Sequence, residues 1–483
     1  MLNVSLLIGG KDLPSGSGST FERHNPVTDA IVSRAAAATV EDADAAVAAA
    51  QAAFPQWASL GPTNRRRRLL AAADELEKRT SEFIEVGVAE TGGVPSWLAF
   101  NVMLGANMLR EAASMTTQVG GEVIPSDVPG NLSLAIRQPC GVVLGIAPWN
   151  APVILGARAI AMPLACGNTV VLKASELCPG VQRLIGTALQ AAGLGDGVVN
   201  VILNAPQDAA AIVERLIAHP AVKRVNFTGS TKVGRRIALL AAEHLKPVLL
   251  ELGGKAPLVV LDDADLDAAV AAAAFGAFFH QGQICMSTER VVADVSIADA
   301  FVTKLAQRAE TLKAGDPGAG STPLGSLISR DAGARIAGLL EDAVARGARI
   351  AAGGPASGSL MDATVVDGVT NQMRLYGEES FGPVAAVVRA RGVDEAIRFA
   401  NDTEYGLSAA VFGRDVGRAL HVAERIQSGM CHINGPTVHD EPQMPFGGVN
   451  ASGYGRFGGK AAVAEFTDLR WISVQSGARH YPI

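Results

Sequence analysis

The stretch GVVLGIAPWNAPVILGARAIAMPLACGNTVVLKASE, residues 141–176, reads as strand, helix, strand. Its ends, GVVLGIA (141–147) and TVVLKAS (169–175), are short and almost continuously apolar. A strand without polar alternation is covered on both faces, as strands of parallel sheets are. The pattern continues through VVNVIL (198–203), VKRVNFT (222–228) and PVLLEL (247–252), each run separated from the next by a helical stretch. Strands alternating with helices imply right-handed crossovers and a doubly wound parallel sheet of the α/β class. After GGK (253–255) a second alternation begins with APLVVL (256–261), the helix of Asp265 to Phe279 and the GQIC turn, and runs to about His432.

A chain of 483 residues exceeds one ordinary core. The expected division is a first domain of residues 1–118 and 140–252, a second α/β domain of 253–452, and two glycine- and polar-rich segments, 119–139 and 468–483. These last have no core of their own and read as β arms that pair with another subunit. Near the start, Thr39 to Asp42 resembles a capping box before a helix that Pro55 ends, and a longer helical pattern spans about Asn64 to Val88. The basic run Arg65 to Arg68 reads as a solvated helix face.

A net charge of −6 argues against a nucleic-acid or anionic-membrane partner, which would require concentrated basic surface. Five scattered cysteines without a Cys-x-x-Cys pair point to a reducing compartment, the cytoplasm, and the eight histidines show no metal-ligand spacing. No signal peptide is read at the N-terminus, and the apolar run Ala268 to Phe279 falls short of the roughly 18 residues of a membrane span.

Candidate chemistry gathers at strand ends. The literal Gly-x-Gly-x-x-Gly at Gly453, Gly455 and Gly458 follows no strand and is rejected as a dinucleotide fingerprint. FTGSTKVG (227–234) is the better candidate, because a strand turns through Gly229 and Ser230 into a helix N-terminus that can face a pyrophosphate. Lys173 and Glu176, in KASE, stand at a strand's carboxyl end, where both can bind ribose hydroxyls and Glu176 would repel a 2′-phosphate, favouring NAD over NADP. Glu251 ends an apolar strand in LELGGK; its carboxylate is either held by a neighbouring donor or functional. Asn150, closing PWN, is either a helix N-cap or a donor to a developing oxyanion. Cys285, in GQICMSTER (282–290), is either a buried thiol or a nucleophile.

In chain order, PWN (148–150), KASE (173–176), FTGSTKVG (227–234), LELGGK (250–255), GQICMSTER (282–290), EESFGPV (378–384) and PFGG (445–448) together resemble the NAD(P)-dependent aldehyde dehydrogenase superfamily over nearly the full length. The resemblance implies an NAD-binding first domain, a catalytic second domain and a homodimer or homotetramer. It makes Cys285 the nucleophile, Glu251 the general base, and Asn150 the oxyanion donor together with the Cys285 N–H. Lys173 and Glu176 match the adenosine-ribose contacts, Ser230 a phosphate contact, Trp149 a tryptophan near the cofactor, and Glu379 with Phe381 the nicotinamide-ribose and ring contacts. Ala174 and Asn450 depart from the family's proline and lysine. The implied reaction oxidises an aldehyde to the acid through a thiohemiacetal and a thioester on Cys285, with Glu251 activating water.

Ile284 and Met286 suggest an apolar substrate pocket, and INGPTVHDEPQMPFGG (433–448) with the HYPI tail most resembles members acting on aromatic aldehydes such as vanillin, salicylaldehyde and benzaldehyde. Aliphatic aldehydes or semialdehydes, and a non-catalytic NAD-binding homologue, are the alternatives. Arg158, the one charge in an otherwise apolar helix, reads either as a structural ion pair or as a group at the substrate mouth. Trp97 reads as an aromatic wall or a core residue.

Overall fold

A computed structural model describes residues 1–483. Five parallel strands form the centre of the first sheet: β1 (Val142–Ile146), β2 (Thr169–Lys173), β3 (Val199–Ile202), β4 (Val222–Thr228) and β5 (Val248–Glu251), in the spatial order β5-β4-β1-β2-β3. The chain runs outward from β1 to β3 and then returns to the other side of β1, so the switch point lies between β1 and β4, where open α/β sheets hold ligands. Helices α1 (Pro152–Ala165), α2 (Pro179–Ala191) and α3 (Thr231–Glu243) form three of the crossovers. Every residue of β1 and β2 is buried, as their unbroken apolar runs require.

Antiparallel strands extend both edges, Leu6–Ile8 beside β3 and Gly453–Tyr454 beside β5. Gly453 therefore opens an edge strand, in keeping with the rejection of its glycine pattern as a fingerprint. The second sheet has seven strands, with β6 (Ala256–Val260) and β7 (Thr288–Asp294) at its middle, and all pairs are parallel except at the Arg349–Ala352 edge.

The two segments expected to be arms pair with each other within one chain. Gly121–Ile124, Asn131–Pro139 and Thr467–Gln475 make a three-stranded antiparallel sheet, registered from Thr467 opposite Pro139 to Gln475 opposite Asn131.

Three local expectations are corrected. The capping box at Thr39 and Asp42 forms, but its helix continues through Pro55 to Ser59. Trp57 lies beyond the proline, buried, with its indole Nε1 donating to the Leu164 carbonyl at 3.1 Å, and this packing offsets the lost N–H bond. The pattern over 64–88 is two helices, Pro62–Lys78 and Thr80–Thr91, broken at Arg79. Arg65 is buried and donates to the carbonyls of Ala58 and Leu60, while Arg68 donates to that of Leu194. The two ends of the basic run thus tie chain segments together, and only Arg66 and Arg67 between them form the solvated face.

A buried ion pair stands where β6 and β7 begin, just past the segments that carry Glu251 and Cys285. Lys255 Nζ lies 2.8 Å from Glu289 Oε2 with both side chains sealed from water, and also donates to the Glu378 carbonyl at 2.7 Å. Glu289 accepts in addition from the N–H and hydroxyl of Ser380 and the N–H of Phe381. Removing one partner strands the other charge in the interior. Glu289→Ala is expected to lower unfolding stability by about 3–5 kcal/mol, read by chemical denaturation; a loss within about 0.5 kcal/mol, ordinary for a surface site, would contradict this account.

Candidate active site

A cavity of about 980 Å³ opens at the carboxyl ends of β1, β2, β4 and β5. It is lined by Cys285, Glu251 and Asn150 together with Lys173, Glu176, Gly229, Ser230, Trp149, Glu379 and Phe381, so the three catalytic and seven cofactor candidates meet in one place.

Asn150 follows β1 but does not cap α1, whose N-cap is Ala151. Its side chain is buried and donates from Nδ2 to the Gln283 carbonyl at 2.9 Å, while its own carbonyl accepts from Trp97 Nε1 at 3.1 Å. Asn150 is therefore gripped on both sides, with its amide facing the turn that carries the thiol. That turn follows Phe279–Gly282, where His280 (φ 48°) and Gln281 (φ 56°) adopt left-handed backbone although neither is glycine. Such strain persists only where packing enforces it. Gln281 Nε2 donates to Ser326 at 2.9 Å, and the His280 ring stacks on Trp97 at 4.5 Å. Gly254 leaves room for the approach: a Cβ there would stand 2.4 Å from the Cys285 carbonyl oxygen.

Glu251 ends β5, buried, with neither carboxylate oxygen hydrogen-bonded by the protein. Burial raises its pKa from 4.5 to about 7, with the Arg158 charge acting in the opposite direction. Cys285 is half-buried, and burial followed by the Glu251 charge pushes its thiol well above the usual range. A buried carboxyl that exchanges its proton near neutrality, beside a thiol, can serve a nucleophile as proton acceptor.

At the other end Lys173 Nζ lies 3.0 Å from Glu176 Oε2. Burial opposes the Glu176 charge, but Lys173 and the residue's own N–H together hold its pKa below the ordinary value. Ser230 caps α3, its Oγ accepting from Val233 N, and both residues line the cavity, so the N-terminal end of that helix borders it. Gly229 is close to the Phe227 ring, which a Cβ would meet at 2.4 Å. Glu379 Oε1 accepts from Gly254 N at 2.9 Å and burial raises its carboxyl to about 8. Phe381 stands edge-on to Trp149, ring centres 5.8 Å apart. An ionised carboxylate at one strand end, a helix N-terminus, and a carboxyl with two aromatic rings near the thiol fit a dinucleotide in volume and chemistry.

The four substrate candidates lie outside this cavity. Arg158 pairs with Asp440 and its guanidinium lies 4.0 Å over the Phe446 ring, which is the ion-pair reading. It borders a separate, water-sized space of about 30 Å³ with Met162, Asp440 and Phe446. Trp97 is buried in an aromatic group with Phe100, Phe279 and His280, and Ile284 and Met286 are buried on either side of the thiol. Sequence reasoning missed Gln283, the acceptor for Asn150, and the α3 face of Val233, Arg236, Ile237, Leu240 and Glu243 that lines the cavity. The spacing of three and four residues from Ser230 was the available signal for that face.

The aldehyde dehydrogenase family model matches residues 13–472. The chain is 68% identical to a vanillin dehydrogenase of Pseudomonas fluorescens over all of both chains. A crystal structure of a salicylaldehyde dehydrogenase from Pseudomonas putida G7, complexed with salicylaldehyde, is 49% identical and superposes with a TM-score of 0.99 over 100% of each chain. A betaine aldehyde dehydrogenase from Staphylococcus aureus in complex with NAD+ is 32% identical, with a TM-score of 0.93 over 99% of this chain and 95% of that one. This fold and this site define an oxidoreductase. The chain belongs to the aldehyde dehydrogenase family. No helix in it is long and apolar enough to cross a membrane.

The raised Glu251 pKa gives a stability signature. Between about 4.5 and 7 the native state holds a proton that the unfolded chain has released, so this group makes stability fall as pH rises through that window and leaves it level above. Glu251→Gln is expected to remove that slope, changing the wild-type difference between pH 4.5 and 8 by on the order of 3 kcal/mol, read by denaturant titrations at each pH. Parallel stability curves for the two proteins would show that Glu251 titrates normally.

Proposed function

We propose that this protein oxidises aromatic aldehydes of the vanillin, salicylaldehyde or benzaldehyde type to their carboxylic acids with NAD. The observation that carries the reading is the convergence of Cys285, Glu251 and Asn150 on the cavity that also holds Lys173 and Glu176. Identity of 68% and 49% to a vanillin and a salicylaldehyde dehydrogenase supports the aromatic substrate.

In this reading Glu251 draws the proton from Cys285, whose sulfur adds to the aldehyde carbon. The oxyanion of the thiohemiacetal is met by the Asn150 amide and the Cys285 N–H, donors fixed in place before the reaction. NAD supplies the hydride acceptor when bound. Collapse leaves a thioester on Cys285, and Glu251, after releasing the thiol's proton to solvent, takes a proton from the water that hydrolyses it, an exchange that a carboxyl raised to about 7 can make near neutrality. Lys173 and Glu176 hold the adenosine ribose, Gly229 and Ser230 the pyrophosphate, and Trp149, Glu379 and Phe381 the nicotinamide end. The Glu176 charge disfavours a 2′-phosphate and hence NADP. On the aldehyde side Ile284, Met286 and Trp97 form the apolar and aromatic surround, with Arg158 engaged in its ion pair with Asp440.

In this reading residues 1–118 and 140–252 bind cofactor and residues 253–452 carry the nucleophile, in a cytoplasmic enzyme. The small sheet leaves Val123, Leu132 and Val474 exposed on one face and Ile124, Leu469 and Trp471 on the other, apolar surface suited to a second copy in a homodimer or homotetramer. Analytical ultracentrifugation is expected to show no monomer at micromolar concentration, and a monomer there would remove the assembly from the proposal.

Purified protein is expected to form NADH with vanillin, salicylaldehyde or benzaldehyde faster than with a short aliphatic aldehyde, and faster with NAD than with NADP. Cys285→Ala should abolish turnover; activity surviving it would overturn the mechanism, and an aliphatic preference the substrate. Asn150→Ala is expected to lower kcat by about 10²–10³ while leaving the affinity for NAD close to wild type. An equal loss in both would mean that Asn150 supports the cavity without meeting the oxyanion.

A further inference from the structure

The amide of Gln182 is fully buried in α2, outside the cavity, and its hydrogen bonds run to two loops that do line it. Its Oε1 accepts from Ser175 N at 2.7 Å, and its Nε2 donates to the Pro148 carbonyl at 2.8 Å and reaches the Pro152 carbonyl at 3.5 Å. Ser175 stands between Lys173 and Glu176, and Pro148 and Pro152 flank Asn150.

The position matters because the two strands part there. The ladder between β1 and β2 ends with Ala147 N donating to Lys173 O at 3.4 Å, after which Ala174 N turns to the Ile202 carbonyl of β3. No backbone hydrogen bond joins residues 148–151 to 174–178. The Gln182 side chain is the next link. Its own anchorage is rigid, since the buried Glu90 carboxylate accepts from Gly180 N at 2.9 Å and Val181 N at 3.1 Å at the start of the same helix. A buried primary amide costs stability unless both its ends are paired, and an apolar side chain could pack this helix without that requirement. Here both ends are paired, and to the two loops that bear the site.

We propose that Gln182 is a positioning residue that couples the ribose-contacting loop 174–176 to the oxyanion turn 148–150, so that cofactor seating and carbonyl polarisation share one register. The proposal rests on the roles given above to Glu176 and Asn150. A small displacement of reacting groups is sufficient to be felt in rate, because misplacement of about 1 Å can cost about 10²-fold.

The test is a pair of double-mutant cycles, with kcat from NADH formation with vanillin and Kd for NAD from quenching of tryptophan fluorescence. Gln182→Met is expected to lower kcat about tenfold and to raise Kd for NAD about tenfold, intermediate values for a loosened site. The kcat loss should vanish in the Asn150→Ala background, and the Kd rise should vanish in the Glu176→Ala background. Additive losses in both, or no loss in Gln182→Met alone, would overturn the coupling. If Asn150→Ala leaves kcat unchanged or Glu176→Ala leaves Kd unchanged, the roles of those residues fail first and the proposal with them. Melting temperatures report folding. Gln182→Leu is the second variant, of similar volume and lacking both the acceptor for Ser175 N and the donor to Pro148. It is expected to lower kcat and raise Kd for NAD as Gln182→Met does, and wild-type values of both in this variant overturn the coupling even if Gln182→Met does not fold.

Discussion

Everything at the candidate site hangs on a lysine ammonium and a glutamate carboxylate held together out of reach of water. Lys255 follows Glu251 by four residues, Glu289 follows Cys285 by four, and Glu289 also receives the N–H groups of Ser380 and Phe381. The pair therefore ties three chain segments, those bearing the carboxylate, the thiol, and Glu379 with Phe381. Burial lowers the Lys255 pKa and the Glu289 charge works against that shift. Such a pair stabilises less than its charges suggest, because desolvation offsets the attraction, but it tolerates very few geometries. Its effect here is to bring segments more than 120 residues apart into one register.

Inside that frame the electrostatics are deliberately incomplete. Glu289 and Glu90 receive several donors each, whereas the Glu251 oxygens receive none from the protein. Burial takes this carboxyl into the range where it can exchange protons near neutrality, as it also takes Glu90, so what sets Glu251 apart is its place beside the thiol in the cavity. Burial and the neighbouring Glu251 charge both raise the Cys285 thiol, so the protonation of carboxyl and thiol is linked. Around it, strain at His280 and Gln281 is borne by stacking on Trp97 and by hydrogen bonding to Ser326, not by the residues' own preferences.

Much of the architecture was legible in the chain. Unbroken apolar runs at 141–147 and 169–175 can only be strands covered on both faces, and their alternation with helices dictated a parallel sheet. Polar residues at the ends of such runs, Lys173, Glu176 and Glu251, stood out because charge at the end of a buried strand requires a reason. Pro55 misled, since local propensity weighs less than the burial of Trp57 two residues on. Arg65 misled in a run of four arginines, because only tertiary packing selects which of them turns inward. The segments at 119–139 and beyond 467 were recognised as lacking a core, but their mutual pairing depends on contacts between residues some 330 apart, for which no local pattern exists.

By itself, then, the sequence determined the class of fold, the ends of strands at which chemistry could stand, and the residue types able to perform it, because hydrophobic period and turn chemistry are local properties. The tertiary structure alone decided that ten of those residues face one cavity, that Arg158 turns to Asp440, that Glu251 lies unpartnered, and that Gln182 bridges two loops. Each of these depends on which distant groups arrive within hydrogen-bonding distance and on how much water they exclude, and neither quantity is written in any one stretch of chain.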